Sequence, residues 1–308
     1  MPTRVKQKPK QPHRKLSLSE RKIAEELLKR NQIRDRFRLE DLLHAKQLSF
    51  VLDPSRFKIA LCGRRAGKTV GIAFDLLDTA LNMPNAVILY VTLNRASAKK
   101  ILWPDITRIN RERELGGIVN HSELNIKFPN GSIIYLTGAK DQTEIEKFRG
   151  LAIKKIVIDE AGSFKRYLTE MIEEVLIPAL FDHNGTLMLI GTPNAACAGA
   201  FYDACHTSTY AQHQWTMLDN PYLEAKAGRP ASELIEEEIT RRGLSVNDPG
   251  IQREFYGKWV KSLDTLVYRY KPTNLYREIP EALARERWTY VMGIDLGYND
   301  ADAIVVWG

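Results

Sequence analysis

The sequence predicts an α/β fold, a mostly parallel sheet flanked by helices. Three observations predict it. Short apolar runs recur at 57–62, 86–92, 155–159 and 186–191. Helical patterns of ten or more residues separate most of them. The runs are apolar at nearly every position, as strands covered on both faces must be.

Each element follows from local signals. From Ser17 the run SLSERKIAEELLKRNQIRDRF reads as a helix, with a Ser17/Glu20 capping box and an Ile23, Leu27, Leu28 stripe. A second helix is expected over Leu39–Phe50. The strand Phe57–Cys62 then enters a glycine loop, and a helix follows over Thr69–Leu81. Ala86–Thr92 is the next strand, and Ala96–Asn110 a helix interrupted near Trp103-Pro104. Residues 117–138 read as two short strands hinged at Asn130-Gly131, a hairpin signal. Leu168–Leu180 is a helix between the last two buried strands. After Pro193 the rhythm weakens to helices at Ala198–His206 and Ser232–Arg242, with a strand near His213–Met217, read as a lid or linker. Strands at Tyr290–Leu296 and Ala303–Trp307 begin a further domain. The expected domains are a basic extension (1–40), a nucleotide-binding core (41–195), a lid or linker (196–262) and the start of another domain (263–308).

Composition narrows the classes. At 44% hydrophobic and 27% charged over 308 residues, the chain has the make-up of a soluble globular protein. The longest apolar runs are too short to span a bilayer, and the basic N-terminus lacks the apolar stretch of a secretory signal, so no membrane partner is expected. Cys62, Cys197 and Cys205 show no paired spacing and read as free thiols of a reducing compartment. The net charge is +7, yet residues 1–40 hold 13 Lys/Arg against 5 Asp/Glu. The excess basicity therefore sits in that segment, either a solvated tail or a device for touching polyanions.

The chemistry-bearing residues begin at Gly63-Arg-Arg-Ala-Gly-Lys-Thr69. Strand, glycine turn and helix would gather backbone N–H groups and a helix N-terminus around one point, which binds phosphate. Gly63, Arg65, Ala66, Gly67, Lys68, Thr69 and Val70 would hold ATP. Lys68 would reach the β- and γ-phosphates and the Thr69 hydroxyl would hold Mg²⁺. Cys62 stands where such loops usually open with glycine. Ile156-Val-Ile-Asp-Glu160 is an apolar strand ending in two acids, Asp159 to orient Mg²⁺ and Glu160 to polarise the attacking water. Leu187-Met-Leu-Ile-Gly-Thr-Pro-Asn194 has two readings. Thr192 and Asn194 sense the γ-phosphate, or the segment is simply a strand-ending turn.

Taken together these residues resemble the large terminase subunit of tailed bacteriophages, along nearly the whole chain after about residue 40. Gly63–Thr69 resembles the family's arginine-bearing Walker A loop, Ile158-Asp-Glu-Ala161 its Walker B strand with catalytic glutamate, and Gly191-Thr-Pro-Asn194 its coupling motif. Leu43–Phe50 resembles its adenine-contacting segment. Asp219-Asn-Pro221 and Arg253–Trp259 look like its linker signature, and Gly293–Gly297 like the first strand of its RNase H-like nuclease.

The resemblance implies a P-loop, RecA-like ATPase core. Gln47 becomes the adenine reader, Arg64 an in-loop contact to the γ-phosphate, and Arg149 an arginine finger supplied in trans. A plain surface arginine is the alternative for Arg149. Asp295 becomes the first nuclease metal ligand, with Mg²⁺ or Mn²⁺ bound in a full-length chain. Asp300 and Asp302 fit that site or the hairpin turn, and the remaining acids would lie past Gly308. The expectation is a truncated chain competent for ATP but not for cutting DNA. The implied partners are double-stranded DNA held by its backbone, a homo-oligomeric ring on a capsid portal, and a small terminase subunit, in the cytoplasm of an infected bacterium. Two rivals are a P-loop helicase, which needs a second RecA-like domain, and a DNA-binding scaffold that binds ATP without turnover.

Overall fold

Alternate residues of the apolar strands sort onto opposite faces of one sheet. The computed structural model of the chain describes residues 17, 37–140, 144, 146–164, 167–262, 291–295 and 303–307. Two compact units divide it, residues 1–262 and 263–308. The first contains β1 (Phe57–Cys62), β2 (Val87–Thr92), β3 (Ile118–Asn120), β4 (Asn125–Lys127), β5 (Ile133–Gly138), β6 (Lys155–Ile158), β7 (Thr186–Gly191) and β8 (Ala211–Trp215). These form one sheet in the order β3-β4-β5-β2-β6-β7-β1-β8. From β5 to β8 every pairing is parallel, and β3 and β4 add an antiparallel margin.

Period-2 alternation supplies both cores. Ala60, Cys62, Ile88, Tyr90, Val157, Met188 and Ile190 face one layer. Ile59, Leu89, Val91, Ile156, Ile158, Leu187 and Leu189 face the other. On the first face lie α1 (Leu39–Leu42), α2 (Ala45–Leu52), α3 (Lys68–Asn82), α4 (Arg95–Ile101) and α5 (Trp103–Glu112). The second face packs α6 and α7 (Ala200–Ala204). α6 runs as Leu168–Glu170 and Ile177–Ala179 around a wider π-helical stretch, Met171–Leu176. A small third cluster, Met217, Ala231 and Ile235, ties α9 (Ala231–Arg242) to the turn Met217–Asp219, with α8 (Pro221–Ala227) and α10 (Pro249–Glu254) completing this region. In the second unit β9 (Val291–Asp295) pairs antiparallel with β10 (Ala303–Trp307).

The structure corrects the sequence reading at several places. The helix expected over Leu39–Phe50 is two helices, because His44 takes an extended conformation (φ −74°, ψ 161°) and its N–H bonds the Gln47 side chain at 3.1 Å. Residues 117–138 form three strands rather than two. The Asn130-Gly131 hinge forms, with Gly131 at φ 84°, but Asn120 Oδ1 also accepts from Ser122 and Glu123 N–H, reversing the chain a second time. The strand read as part of a lid is β8, paired in parallel with β1 from Lys58↔Ala211 to Cys62↔Trp215. α8 and α10 were not anticipated. The helix expected from Ser17 lies, apart from Ser17, outside the described residues.

Charges are buried beneath α3. Lys58, on β1, donates to the carbonyls of Phe50, Val51 and Asp53 at 2.9–3.0 Å, satisfying the C-terminal carbonyls of α2. Lys155 on β6 pairs with Asp75 on α3. One turn on, burial and then repulsion from Asp75 push Asp78 up to about 6 from its usual 3.8. The folded state therefore holds an extra proton between those two pH values, and this contribution to stability falls as pH rises through the window. Asp78→Asn should raise the melting temperature at pH 7.5 and shrink the gain in stability on acidifying to pH 5. Thermal denaturation across that range measures both, and an unchanged pH dependence would count against the assignment.

Candidate nucleotide site

β1 delivers the chain to the loop while still in register with β8, so Cys62 is a strand residue packed in the core rather than part of the turn. A glycine is not needed there. The turn starts one residue later, where a Cβ on Gly63 would lie 2.8 Å from the Phe255 carbonyl. Arg65 (φ 58°) and Gly67 (φ 78°) are left-handed, and Lys68 opens α3. This alternation makes an anion-binding concavity.

Side chains from three other places hold the loop's carbonyls. Asn220 Nδ2 donates to Arg65 O at 2.9 Å, and Trp215 Nε1 to Ala66 O at 3.0 Å. Gln47 Nε2 donates to Gly67 O at 2.7 Å. The N–H groups of Gly63 and Arg64 are spent on Trp215 O (3.1 Å) and Glu254 O (2.5 Å). The sequence points to backbone N–H groups of this loop as phosphate donors without saying which. Gly63 and Arg64 drop out, and among the described residues the N–H groups of residues 65–70 have no protein acceptor.

The acid pair reaches this loop from β6. Asp159 is 1% exposed; its Oδ2 accepts from the Tyr90 hydroxyl at 2.7 Å and its Oδ1 from Glu160 N–H at 2.8 Å. Glu160 is itself left-handed (φ 55°). Lys68 Nζ pairs with Glu160 Oε1 and stands 3.9 Å from Asp159 Oδ1. Burial opposes the Lys68 ammonium, but Asp159 and Glu160 outweigh it and raise its pKa.

The other expected residues lie in varied settings. Arg64 turns outward onto Glu254 at the end of α10 and is 69% exposed. Gln47 is 4% exposed, with its amide spent on Gly67 O and His44 N–H, so reaching a base would mean giving up the loop. Asn194 donates to Ala198 O at 2.9 Å. A Cβ on Gly162 would lie 2.6 Å from Thr192 O, so the turn after Glu160 abuts the turn after β7. Arg149 pairs with Glu146 and donates to Glu174 O at 3.3 Å. Pro178, four residues beyond Glu174, has no N–H to give that carbonyl. Asp295 ends β9 opposite Ala303 in the second unit, and Asp300 and Asp302 lie outside the described residues.

Trp215, Asn220, Tyr90 and Glu254 were not singled out individually by sequence reasoning. Asn220 and Glu254 lie in the segments that resemble the family's linker signature; Tyr90 and Trp215 carry no local signal.

A family model described as phage terminase large subunit matches residues 55–242, more than half of the chain. No curated protein matches. Among solved structures, the chain resembles the large terminase ATPase domain of Thermus phage P74-26, with TM-score 0.54 and 15% identity over 71% of this chain and 94% of that one. It also resembles the large terminase of a thermophilic bacteriophage, solved in complex with ADP, with TM-score 0.56 and 18% identity over 86% of this chain and 65% of that one, just under two thirds of its length. At these identities the solved structures speak for the fold, and the family model for descent. The chain belongs to the phage terminase large subunit family.

Proposed function

We propose that this chain hydrolyses ATP to drive double-stranded DNA into a viral capsid. The observation that carries the proposal is the meeting of Lys68, at the N-terminus of α3, with Asp159 and Glu160 beside a loop whose N–H groups from Arg65 on have no acceptor among the described residues. The open N–H groups of residues 65–70 would take the phosphates. Lys68 would exchange its Glu160 partner for the β- and γ-phosphates, releasing Glu160 to polarise the attacking water. Thus nucleotide arrival both seats the cation and frees the base.

The donor set suits Mg²⁺: one hydroxyl (Thr69) and one carboxylate (Asp159) are the few hard oxygens it takes from protein when phosphates and waters fill the rest. Bound there, it would neutralise charge across the β- and γ-phosphates. Tyr90 and the Glu160 N–H would keep the Asp159 oxygens aimed. Arg64 would leave Glu254 for the γ-phosphate, and Thr192 and Asn194, touching the turn after Glu160, would pass phosphate loss to the 196–262 region. Gln47 would read the base only after releasing Gly67.

In a homo-oligomeric ring on a capsid portal, Arg149 would serve the neighbour's site. The large terminase of the thermophilic bacteriophage was solved with ADP and with ATP-γ-S, which supports nucleotide binding here. DNA would be held through its phosphates, a small terminase subunit would join the complex, and Asp295 would take a metal in an RNase H-like nuclease.

Glu160→Gln should keep ATP affinity and lose turnover by ~10²–10⁴-fold; undiminished hydrolysis would remove Glu160 from this role. Arg149→Ala should cost the assembled ring ~10³-fold or more. Mixing it with Lys68→Ala subunits should restore part of the activity. Absence of any rescue would assign Arg149 to its own subunit or to structure. Filter binding of duplex DNA should weaken steeply between 50 and 200 mM salt, roughly by 10³-fold for six phosphate contacts. A flat salt response would contradict backbone binding.

A further inference from the structure

The loop's readiness for phosphate is imposed from outside the loop. In a planar trans peptide the C=O of one residue and the N–H of the next point in opposite directions. Fixing the carbonyls of Arg65, Ala66 and Gly67 therefore fixes where the N–H groups of Ala66, Gly67 and Lys68 point. Those three carbonyls are the ones held by Asn220, Trp215 and Gln47.

Trp215 and Asn220 come from the chain after β7, while Gln47 and His44, whose Nε2 lies 3.4 Å from Ala66 O, come from the α2 region. Trp215 acts twice, since its own carbonyl accepts from Gly63 N–H while its indole N–H grips Ala66 O. Asn220 follows a braced turn. Asp219 Oδ2 accepts from Thr216 N–H at 2.8 Å, the Thr216 hydroxyl accepts from Leu218 N–H at 3.2 Å, and Asn220 N–H reaches Met217 O at 3.2 Å. Trp215 and Asn220 are both buried. Packing at Gly67 leaves no slack, because a Cβ there would stand 2.8 Å from Gln47 Nε2 and 3.4 Å from Asn220 Nδ2.

We infer that Trp215 and Asn220 are positioning residues for phosphate binding, holding the loop's carbonyls outward so that its amides face the anion before nucleotide arrives. They touch no phosphate themselves. Their contribution is preorganisation, which improves affinity by removing the cost of ordering the loop on binding. Because the interaction is made equally with bound substrate and transition state, losing it raises KM and leaves kcat nearly unchanged. The inference rests on the nucleotide reading above and names residues that reading does not use.

The test uses the full chain, with Trp215→Phe and Asn220→Ala as separate variants and ADP and inorganic pyrophosphate, each with Mg²⁺, as calorimetric probes. Both variants should bind both probes about tenfold more weakly, the worth of one hydrogen bond. KM for ATP should rise by the same factor, kcat should stay within about twofold, and ligand-free melting should remain cooperative. Weaker ADP binding with unchanged pyrophosphate binding would place the residues at the base or ribose and overturn the inference. Lower melting temperatures with unchanged affinities would also overturn it, leaving both residues a structural role only. If one variant fails to fold, the other decides by the same readings. Failure of the unaltered chain to bind either probe would instead refute the nucleotide reading itself.

Discussion

Lys68 follows β1 and Asp159 follows β6, and β7 lies between those two strands. Two strand spacings, roughly 10 Å, therefore separate the chain segments that carry them. A long, flexible lysine launched from a helix N-terminus crosses that gap. In the structure it stands 3.9 Å from one acid and is bonded to the next. The rest of the site depends on this crossing, which needs the strand order as much as the residues. Parallel pairing puts the ends of β1, β6 and β7 at one edge of the sheet, where open α/β folds place their ligands.

The two groups that would do chemistry quench each other. An ammonium and a carboxylate in contact are each less available, one to a phosphate and one to a water. A triphosphate that drew Lys68 away would make the acid a base only when substrate is present. Asp159 has no such freedom, since Tyr90 and a backbone N–H occupy its oxygens and its carboxylate is buried.

Much of this was legible in the sequence because its signals are local. The apolar runs gave the six-residue strands Phe57–Cys62 and Thr186–Gly191 with the bounds observed. The glycines and lysine of the loop, and the acids after Ile158, announced themselves by position. What escaped depends on contacts distant in the chain. A strand near His213–Met217 is expected from the sequence, but β8 reads Ala-Gln-His-Gln-Trp, too polar to announce that it joins the core sheet beside β1. It is an edge strand whose His213 is held by Asp53 at 2.8 Å, a partner 160 residues upstream. The break at His44 is set by one side-chain bond to Gln47. Trp215 and Asn220 matter because of where β8 and the following turn bring them, which no periodicity discloses.

The account stands or falls on whether the loop and the acid pair serve one phosphate-bearing ligand. Calorimetric titration of ADP into the chain, with and without Mg²⁺, tests this most directly when repeated on Lys68→Ala and Asp159→Asn. The account predicts one nucleotide per chain, severe loss of affinity in Lys68→Ala, and tightening by Mg²⁺ that Asp159→Asn abolishes. ADP binding of equal strength in all three proteins, indifferent to the metal, would contradict it.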